Sequence, residues 1–207
     1  MNLNLAIFVS GRGSNFQAIL DALAQKKLRA RVAVLISDRS EAGALQIARA
    51  TGIATEVLAC RDEEKYEHTL RFVLQQREAN FIVLAGYLRK IPASIIRAYR
   101  GRIINIHPAL LPSFGGKGMY GKRVHQAVLD YGCKVSGATV HLVEEEYDTG
   151  APILQRCVPV HEDDTAETLA ARVLEVEHQI LPEALRLFAE EHIVITGRKV
   201  QILSKEP

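Results

Sequence analysis

The sequence predicts an α/β fold, namely an open, mostly parallel, twisted sheet with helices on both faces. Short apolar runs rich in β-branched residues recur along the first half of the chain, and helix-length stretches separate them. Strands that alternate with helices form βαβ units, whose strands lie parallel and are buried on both sides. Two extended runs joined by an acidic turn follow later, so the later strands are expected to be partly antiparallel.

The elements of the first half follow from this alternation. Five strands are expected, at Leu5–Val9, Arg31–Ile36, Ala54–Leu58, Phe81–Leu84 and Arg102–Ile106. Four helices are expected between them, at Asn15–Gln25, Glu41–Ala50, Glu63–Glu78 and Pro92–Tyr99. Connections of this kind are right-handed crossovers, which gives a parallel sheet.

The second half begins with an irregular, glycine-rich segment at Ala109–Gly121, and loops of this length are usually functional or disordered. A short helix, two strands and a final hairpin are expected at Val124–Tyr131, at Val135–Val143 and Ala151–Val160, and at Ile193–Ile195 with Val200–Leu203. The longest helix is expected to open at Asp164, because Asp164-Thr165-Ala166-Glu167 has the pattern of a capping box. Pro182 is expected to kink or restart that helix.

Composition excludes several classes of protein. The 207 residues are 48% hydrophobic and 24% charged, which suits one globular domain. A formal net charge of +2 is too small for a protein that mainly holds a nucleic-acid backbone. No segment approaches the roughly 20 apolar residues of a membrane span, and three widely spaced cysteines fit a reducing compartment. We expect a cytoplasmic protein with no nucleic acid and no membrane as partners.

A glycine-rich turn, Ser10-Gly-Arg-Gly-Ser-Asn15, is expected where the first strand meets the first helix. Glycines let backbone N–H groups approach an anion, and the start of a helix adds further donors. Phe16 stands where a dinucleotide motif has its third glycine, and no Gly-Lys-Ser/Thr is present. A single phosphate monoester is therefore the better match, and a plain tight turn capped by Ser14 is the alternative.

Two polar side chains are expected side by side at the end of the fifth strand. Asn105 and His107 are two residues apart, so they point to the same side of an extended chain. Pro108 favours that extended conformation, and open α/β sheets bind ligands at this end of their strands. An amide beside an imidazole suits the oxyanion of an acyl transfer. A buried structural pair is the alternative.

Asp148 is the best candidate for a carboxylate that completes this site, since it lies in the turn just before Gly150. A carboxylate near His107 would raise the pKa of the imidazole and could relay a proton from an attacking amine, directly or through water. The neighbouring Glu144–Glu146 run argues against an inward-facing Asp148, because acidic turns are usually solvated. No metal is expected, because the histidines and cysteines form no ligand spacing, and no G-x-S-x-G supports a serine nucleophile.

Five segments occur in one order: SGRGSN at 10–15, LAGYLR at 84–89, NIHPALLP at 105–112, GATVH at 137–141 and YDTG at 147–150. With them, the sequence from about residue 4 to Pro182 resembles the folate-dependent formyltransferase family, and within it the glycinamide ribonucleotide transformylases of purine synthesis. The resemblance implies a Rossmann-like formyltransferase fold. It also implies transfer of a formyl group from the co-substrate 10-formyltetrahydrofolate to the glycinamide amine of glycinamide ribonucleotide.

The resemblance further implies roles for single residues. Asn105 and His107 would stabilise the oxyanion, and Asp148 would position or charge His107 and help to remove the amine proton. His141 would support them from the neighbouring strand, with a buried structural histidine as the alternative. The folate pocket would comprise Leu88, Arg89, Ile91, Asn105, Val143, Glu144 and Asp148, with Arg89 also meeting the glutamate tail. The ribonucleotide would be held by Gly13, Ser14, Asn15 and Glu177, the first three at its phosphate.

The single domain expected over residues 1–207 would then have a nucleotide-phosphate-binding half at 1–107 and a folate-binding, catalytic half at 108–207. Its partners would be small molecules, and it would be a monomer or a homodimer. Two departures are visible: Ala109 stands where serine is common in the family, and the segment from Phe114 to Gly121 is longer than in some relatives, so we expect mobility there. The Leu111–Pro112 bond matches a cis peptide of the family.

Other functions remain open at this point. A formyltetrahydrofolate hydrolase shares the Asn, His and Asp but usually has an N-terminal regulatory domain, and a methionyl-tRNA formyltransferase has a C-terminal tRNA-binding domain. The chain length argues against both. A non-catalytic nucleotide-binding module would need the glycine-rich turn, but not Asn105, His107 and Asp148 together.

Overall fold

A computed structural model describes residues 2–203, and it divides into two compact units, Met1–Asn105 and Ile106–Pro207. The ends of the expected single domain, residue 1 and residues 204–207, lie outside the described residues. The division into halves at 1–107 and 108–207 stays a prediction.

In the first unit, parallel strands alternate with helices. The elements are β1 (Leu3–Val9), α1 (Ser14–Ala24), β2 (Ala30–Ser37), α2 (Gly43–Ala50), β3 (Thr55–Val57), α3 (Glu63–Gln76), β4 (Phe81–Leu84), α4 (Ala93–Ala98) and β5 (Ile103–His107), whose last two residues belong to the second unit. All pairings among these strands are parallel, in the order β3-β2-β1-β4-β5. Each observed boundary lies within two residues of its prediction.

The core of the first unit forms around its central strands. β4 is buried along its whole length, and β1 is buried over its last five residues, as continuous apolar runs in parallel strands require. Phe16 of α1 and Tyr66 of α3 are among the largest fully buried side chains. Burying each such side chain contributes about 1.5–3 kcal/mol, so α1 and α3 are held chiefly by their apolar faces.

The second unit contains the later strands and the longest helix. Its elements are α5 (Lys122–Asp130), β6 (Val135–Leu142), β7 (Pro152–Pro159), α6 (Ala166–Ala189), β8 (Ile193–Thr196) and β9 (Lys199–Ile202). β6 and β7 pair antiparallel, and so do β8 and β9, which form the expected final hairpin. The strand order of the large sheet is β3-β2-β1-β4-β5-β6-β7. The predicted α/β class, with a mostly parallel sheet and partly antiparallel later strands, is confirmed.

The start of α6 differs from its prediction. Thr165, not Asp164, is the N-cap, and it forms a capping box with Thr168. Asp164 is engaged elsewhere, because the guanidinium of Arg172 donates to its two carboxylate oxygens at 2.7 and 2.8 Å. This bidentate pair holds the pKa of Asp164 well below its usual range. The expected box of Asp164 and Glu167 was therefore wrong by one residue.

Pro182 does not restart α6, which continues through it from Ala166 to Ala189. Leu181 and Ala184, on either side of the proline, are fully buried. Their packing keeps the helix continuous, although Pro182 has no N–H to donate a backbone hydrogen bond. In the described range 2–203, no helix is long and apolar enough to cross a bilayer.

Candidate active site

A carboxylate lies between two buried histidines in the second unit. Oδ2 of Asp148 is 3.6 Å from Nδ1 of His107, and Oδ1 is 3.6 Å from Nε2 of His141. His107 is the last residue of β5, and His141 lies near the end of β6. The two histidines are 3% and 2% exposed. Three residues from distant segments thus form one cluster, which we call the Asp148 cluster.

The turn between β6 and β7 aims Asp148 inward. Asp148 has a φ of 57°, in the left-handed region that Asp adopts more readily than most residues. At Gly150, a Cβ would overlap the carbonyl oxygen of Leu142, so the turn closes only with glycine there. Glu145 and Glu146 are exposed. One carboxylate of this acidic segment therefore points at the histidines while these neighbours face solvent.

Main-chain carbonyls determine where the imidazoles carry their protons. Nε2 of His107 lies 2.9 Å from the carbonyl oxygen of Phe114, and Nδ1 of His141 lies 2.7 Å from that of Leu142. A carbonyl oxygen can only accept, so each of these nitrogens donates a proton. The nitrogens that face Asp148 then hold lone pairs whenever the rings are neutral. The cluster can consequently accept one further proton and share it with the carboxylate.

Burial decides the charge state of His107. Desolvation lowers the pKa of this imidazole and outweighs the attraction of Asp148 and the hydrogen bond to Phe114, which both raise it. The neighbouring carboxylate does raise this pKa, as expected, but burial, which the sequence does not reveal, lowers it by more. Burial also raises the pKa of Asp148, but the two histidines and the N–H of Gly116 lower it by more, so Asp148 stays ionised.

The segment after β5 closes over the Asp148 cluster. The N–H of Gly116 donates to Oδ2 of Asp148 at 2.8 Å, and the Phe114 carbonyl accepts from His107. A Cβ at Gly115 would lie 2.6 Å from the Leu111 side chain and 3.1 Å from Cβ of Asp148, so a larger residue there would crowd both side chains. The ring of Phe114 meets Tyr131 edge-on, with 6.0 Å between centroids. The loop thus supplies one donor and one acceptor to the cluster.

Two residues that the sequence analysis missed hold the start of this segment. Thr139 of β6 donates to the carbonyl of Ala109 at 2.7 Å and accepts from the N–H of Leu111 at 3.1 Å. Gln155 of β7 donates to the Leu111 carbonyl at 2.9 Å. The signal in the sequence was Thr139, a polar residue in the middle of a buried strand. The Leu111–Pro112 peptide is cis, as expected.

The glycine-rich turn joins β1 to α1 in the first unit. Gly13 is the N-cap of α1, with a φ of 86°, and a Cβ there would lie 2.5 Å from Cβ of Ala44. The alternative in which Ser14 caps the helix is therefore wrong, because the cap residue has no side chain. Asn15, in the first turn, is buried. The N–H groups at the start of α1 face the turn and suit an anion.

The loop after β4 lies beside this turn within the first unit. Ser10 binds this loop in two ways: its N–H donates to the Gly86 carbonyl at 3.1 Å, and its Oγ accepts from the Leu88 N–H at 2.9 Å. Its hydroxyl also donates to Asp38, just after β2, at 2.6 Å. The side chain of Leu88 is 39% exposed. Sequence analysis included Ser10 in the turn but did not assign it this contact.

The guanidinium of Arg89 is already committed to the fold. It donates to the carbonyls of Leu58 and Cys60 and to the carboxylate of Glu63. It also lies 3.5 Å from the ring centroid of Tyr66. Arg89 can therefore contact a ligand mainly through its backbone. Its guanidinium, which was expected to meet a glutamate tail, is engaged in these contacts.

The remaining predicted residues are distributed over both units. Asn105, half-buried, ends the first unit, and Ile91 is buried in it. Val143 is half-buried, Glu144 is exposed, and Glu177 lies buried on α6, all in the second unit. Within residues 2–203, no group of three or more His, Cys, Asp or Glu side chains is placed to hold a metal ion.

An ionised carboxylate next to buried imidazoles can take a proton from an amine, and a fixed N–H donor such as that of the His107 ring can stabilise an oxyanion. This chemistry and the α/β fold describe a group-transfer enzyme of acyl type. The formyl transferase family model matches residues 3–185, and the chain belongs to that family.

Individual relatives agree with this assignment. The chain is 49% identical over 193 residues to a chloroplastic phosphoribosylglycinamide formyltransferase of Vigna unguiculata, covering 92% of this chain and 62% of that protein. It is 36% identical over 191 residues to the phosphoribosylglycinamide formyltransferase of Escherichia coli strain K12, covering 91% and 88%. A crystal structure of glycinamide ribonucleotide transformylase 1 from Symbiobacterium toebii matches with a TM-score of 0.91 at 41% identity, covering 98% and 95%. The chain thus spans less than two thirds of the plant relative.

Proposed function

We propose that this protein transfers a formyl group from 10-formyltetrahydrofolate to the glycinamide amine of glycinamide ribonucleotide, a step of purine synthesis. Family membership and the names of the relatives support the reaction. The observation that carries it is the Asp148 cluster, in which an ionised carboxylate lies 3.6 Å from each of two buried imidazoles. A protein that only bound nucleotides would have no need of such a proton acceptor.

In the proposed reaction, the amine nitrogen forms a bond to the formyl carbon, and the carbonyl electron pair moves onto oxygen. The amide of Asn105 and the Nε2–H of His107 stabilise that oxyanion. The Nε2–H is held by the Phe114 carbonyl in this structure. An oxyanion is a stronger acceptor than a neutral carbonyl, so it takes over this proton donor when it forms.

Asp148 accepts the proton that the amine loses as the new bond forms, directly or through a water. His141 acts as a positioning residue, since its second nitrogen is anchored on the Leu142 carbonyl and its first faces the carboxylate. The intermediate then collapses, the bond from the formyl carbon to the folate nitrogen breaks, and that nitrogen takes up a proton. No metal is included in this proposal.

The binding roles are also proposed residue by residue. An exposed Leu88, a buried Ile91 and the main chain around Arg89 suit a flat pterin ring, which needs apolar walls and backbone partners. Val143, Glu144 and Asp148 complete the folate site. Gly13, Ser14 and Asn15 hold the ribonucleotide phosphate, and Glu177 binds its ribose or amino end.

We further propose a cytoplasmic monomer or homodimer whose partners are small molecules, with neither nucleic acid nor membrane among them. The name "chloroplastic" of the Vigna unguiculata relative indicates a plastid as the other location to test. Fractionation of the source cells with an antibody to this chain distinguishes the two compartments.

The reaction is tested by incubating the pure protein with 10-formyltetrahydrofolate, with and without glycinamide ribonucleotide, and following the folate product by absorbance. Product that forms only with the ribonucleotide is the expected result. Product without the ribonucleotide would instead identify a formyltetrahydrofolate hydrolase. No product in either mixture would overturn the proposal in favour of another acceptor or of a binding module.

A further inference from the structure

Ser10 connects two segments of the first unit that the proposed function uses for different ligands. It is the first residue of the glycine-rich turn, and it is only 4% exposed. Its N–H and its hydroxyl both bind the loop after β4, at the Gly86 carbonyl and the Leu88 N–H. Ser10 therefore binds both ends of the stretch 86–88. The far end, Leu88, is 78 positions away from Ser10 in the sequence.

The hydroxyl of Ser10 is oriented by a carboxylate. It has one proton, and this proton is donated to Oδ1 of Asp38 at 2.6 Å, which is a short, charge-assisted hydrogen bond. The oxygen lone pairs are then turned away from Asp38, and one of them accepts the Leu88 N–H. Asp38 thus orients the Ser10 hydroxyl so that its oxygen accepts the hydrogen bond from the Leu88 N–H.

The middle of the stretch is anchored by Tyr87, whose ring meets Phe8 edge-on and whose hydroxyl lies 3.0 Å from that of Tyr66, but its two ends are held differently. Gly86 has a φ of 75°, with open space where a side chain would be, and Leu88 leaves a large part of its side chain in solvent. Packing at these two positions is therefore slight. Tyr87 therefore fixes the centre of this stretch, while the hydrogen bonds from Ser10 hold the main chain at its two ends, Gly86 and Leu88.

We propose that Ser10, oriented by Asp38, is a positioning residue that sets the affinity for the folate co-substrate by fixing the main chain at Leu88. This inference rests on the proposed function, which places the pterin ring against Leu88 and its neighbours. Ser10 itself touches no substrate in this scheme.

The test compares Ser10→Ala with Ser37→Ala. Ser37 is an equally buried serine on the adjacent strand end, but its hydroxyl binds only the backbone of Arg39. In Ser10→Ala we expect the Leu88 amide to exchange its hydrogen at least about tenfold faster, as judged by NMR, because a buried hydrogen bond is lost. Ser37→Ala is expected to leave that exchange rate unchanged.

The kinetic part of the test uses the same two variants and Asp38→Ala. Ser10→Ala should raise the KM for 10-formyltetrahydrofolate about tenfold, with kcat and the KM for the ribonucleotide within about twofold of wild type. Asp38→Ala should change the folate KM in the same direction by a smaller factor, since the hydroxyl remains but is no longer oriented. Ser37→Ala should leave the folate KM unchanged.

The two readouts separate this inference from the proposed function. Unchanged Leu88 exchange in Ser10→Ala, or an unchanged folate KM in that variant, overturns the positioning role. An equal rise of the folate KM in Ser37→Ala does the same, because it would show a general loss of stability. A wild-type protein that binds no tetrahydrofolate overturns the proposed function and the folate part of this inference, while fast Leu88 exchange in Ser10→Ala would still establish the tether.

Discussion

At the scale of single residues, the proposed chemistry depends on how Asp148 is surrounded. Its carboxylate faces two nitrogens that hold lone pairs when the rings are neutral, because carbonyl oxygens occupy the other nitrogens of both rings. A proton that arrives at Asp148 therefore has three closely spaced acceptors.

Replacing His107 tests its role at the oxyanion. His107→Ala should lower kcat by roughly 10²–10⁴, because a positioned donor to the developing charge is lost, while the KM for the ribonucleotide changes little. Steady-state kinetics measure both. His68→Ala, at an exposed position of α3, is the control and should keep the wild-type kcat. A near-normal kcat in His107→Ala would contradict the assigned role.

Replacing Asp148 with asparagine tests whether the charge of this side chain, and not only its shape, is required for turnover. Asp148→Asn keeps the size and an oxygen for the Gly116 N–H, but it can neither carry a charge nor take up a proton. Turnover should be lost while the ribonucleotide still binds, as single-turnover kinetics and calorimetry would show. Glu146→Gln makes the same change at an exposed position of the same turn and should leave turnover intact. Retained activity in Asp148→Asn would move the proton acceptor elsewhere.

At the scale of elements, the β6–β7 turn is the part of the fold that presents Asp148. The N–H of Leu142 donates to the carbonyl of Ala151 at 2.9 Å, so the turn closes immediately beside Gly150. The lack of a side chain at Gly150 is what allows this closure. The turn therefore cannot change its path without moving the carboxylate.

A methyl group at Gly150 should be destabilising. Gly150→Ala places its Cβ on the Leu142 carbonyl, and overpacking of this kind costs about 1–3 kcal/mol of the free energy of unfolding. Urea denaturation measures the change. Gly11→Ala is the matched control, since a Cβ there meets no atom within 4 Å, and its unfolding free energy should stay within about 0.5 kcal/mol of wild type. Equal stability of the two variants would contradict this account of the turn.

Sequence patterns predicted the elements far better than the contacts between them. In the first unit, period and composition located every strand and helix to within two residues, because these signals are local. The bonds of Ser10 to Leu88 and of Thr139 to Leu111 join residues 78 and 28 positions apart. They depend on which strands become neighbours, which a local pattern does not specify. The Thr165 cap was not predicted for a related reason. Asp164 pairs with the guanidinium of Arg172 instead of capping the helix.

The candidate site was predicted in part. Asp148 was singled out by its place before Gly150, and it does face His107. What the sequence could not reveal is the depth of burial, and that depth reverses the expected pKa shift of His107. Nor could it reveal that the guanidinium of Arg89 is bound to the carbonyls and carboxylate around it.

At the scale of the whole molecule, buried histidines should make stability depend on pH. Burial lowers the pKa of His107 and also that of His125, where the charge of His107 adds to the effect. Each group therefore binds its proton more readily in the unfolded chain. Its contribution to stability is complete above about pH 6.5, the ordinary value of histidine, and is lost as the pH falls below it.

Urea unfolding at pH 7.5 and 5.5 should show this loss, with a slope of up to about 1.4 kcal/mol per pH unit for each histidine below pH 6.5. Asp148, whose pKa is lowered, contributes stability that disappears only below about pH 4, so it does not affect this window. His125→Gln should flatten the slope, whereas His68→Gln, at an exposed position, should not. A wild-type stability that is the same at both pH values would contradict the prediction.

The edge-on contact between Phe114 and Tyr131 offers a position for a fluorescent reporter of this loop. The chain contains no tryptophan, so Phe114→Trp would introduce a single indole, which can be excited at wavelengths longer than those that the six tyrosines absorb. That indole would belong to the very residue whose carbonyl oxygen accepts the His107 proton. A shift of its emission maximum on mixing with substrate, followed in a stopped-flow instrument, would report a rearrangement of this segment. The proposed reaction predicts such a rearrangement, because the His107 donor has to leave the Phe114 carbonyl to reach the reacting oxygen.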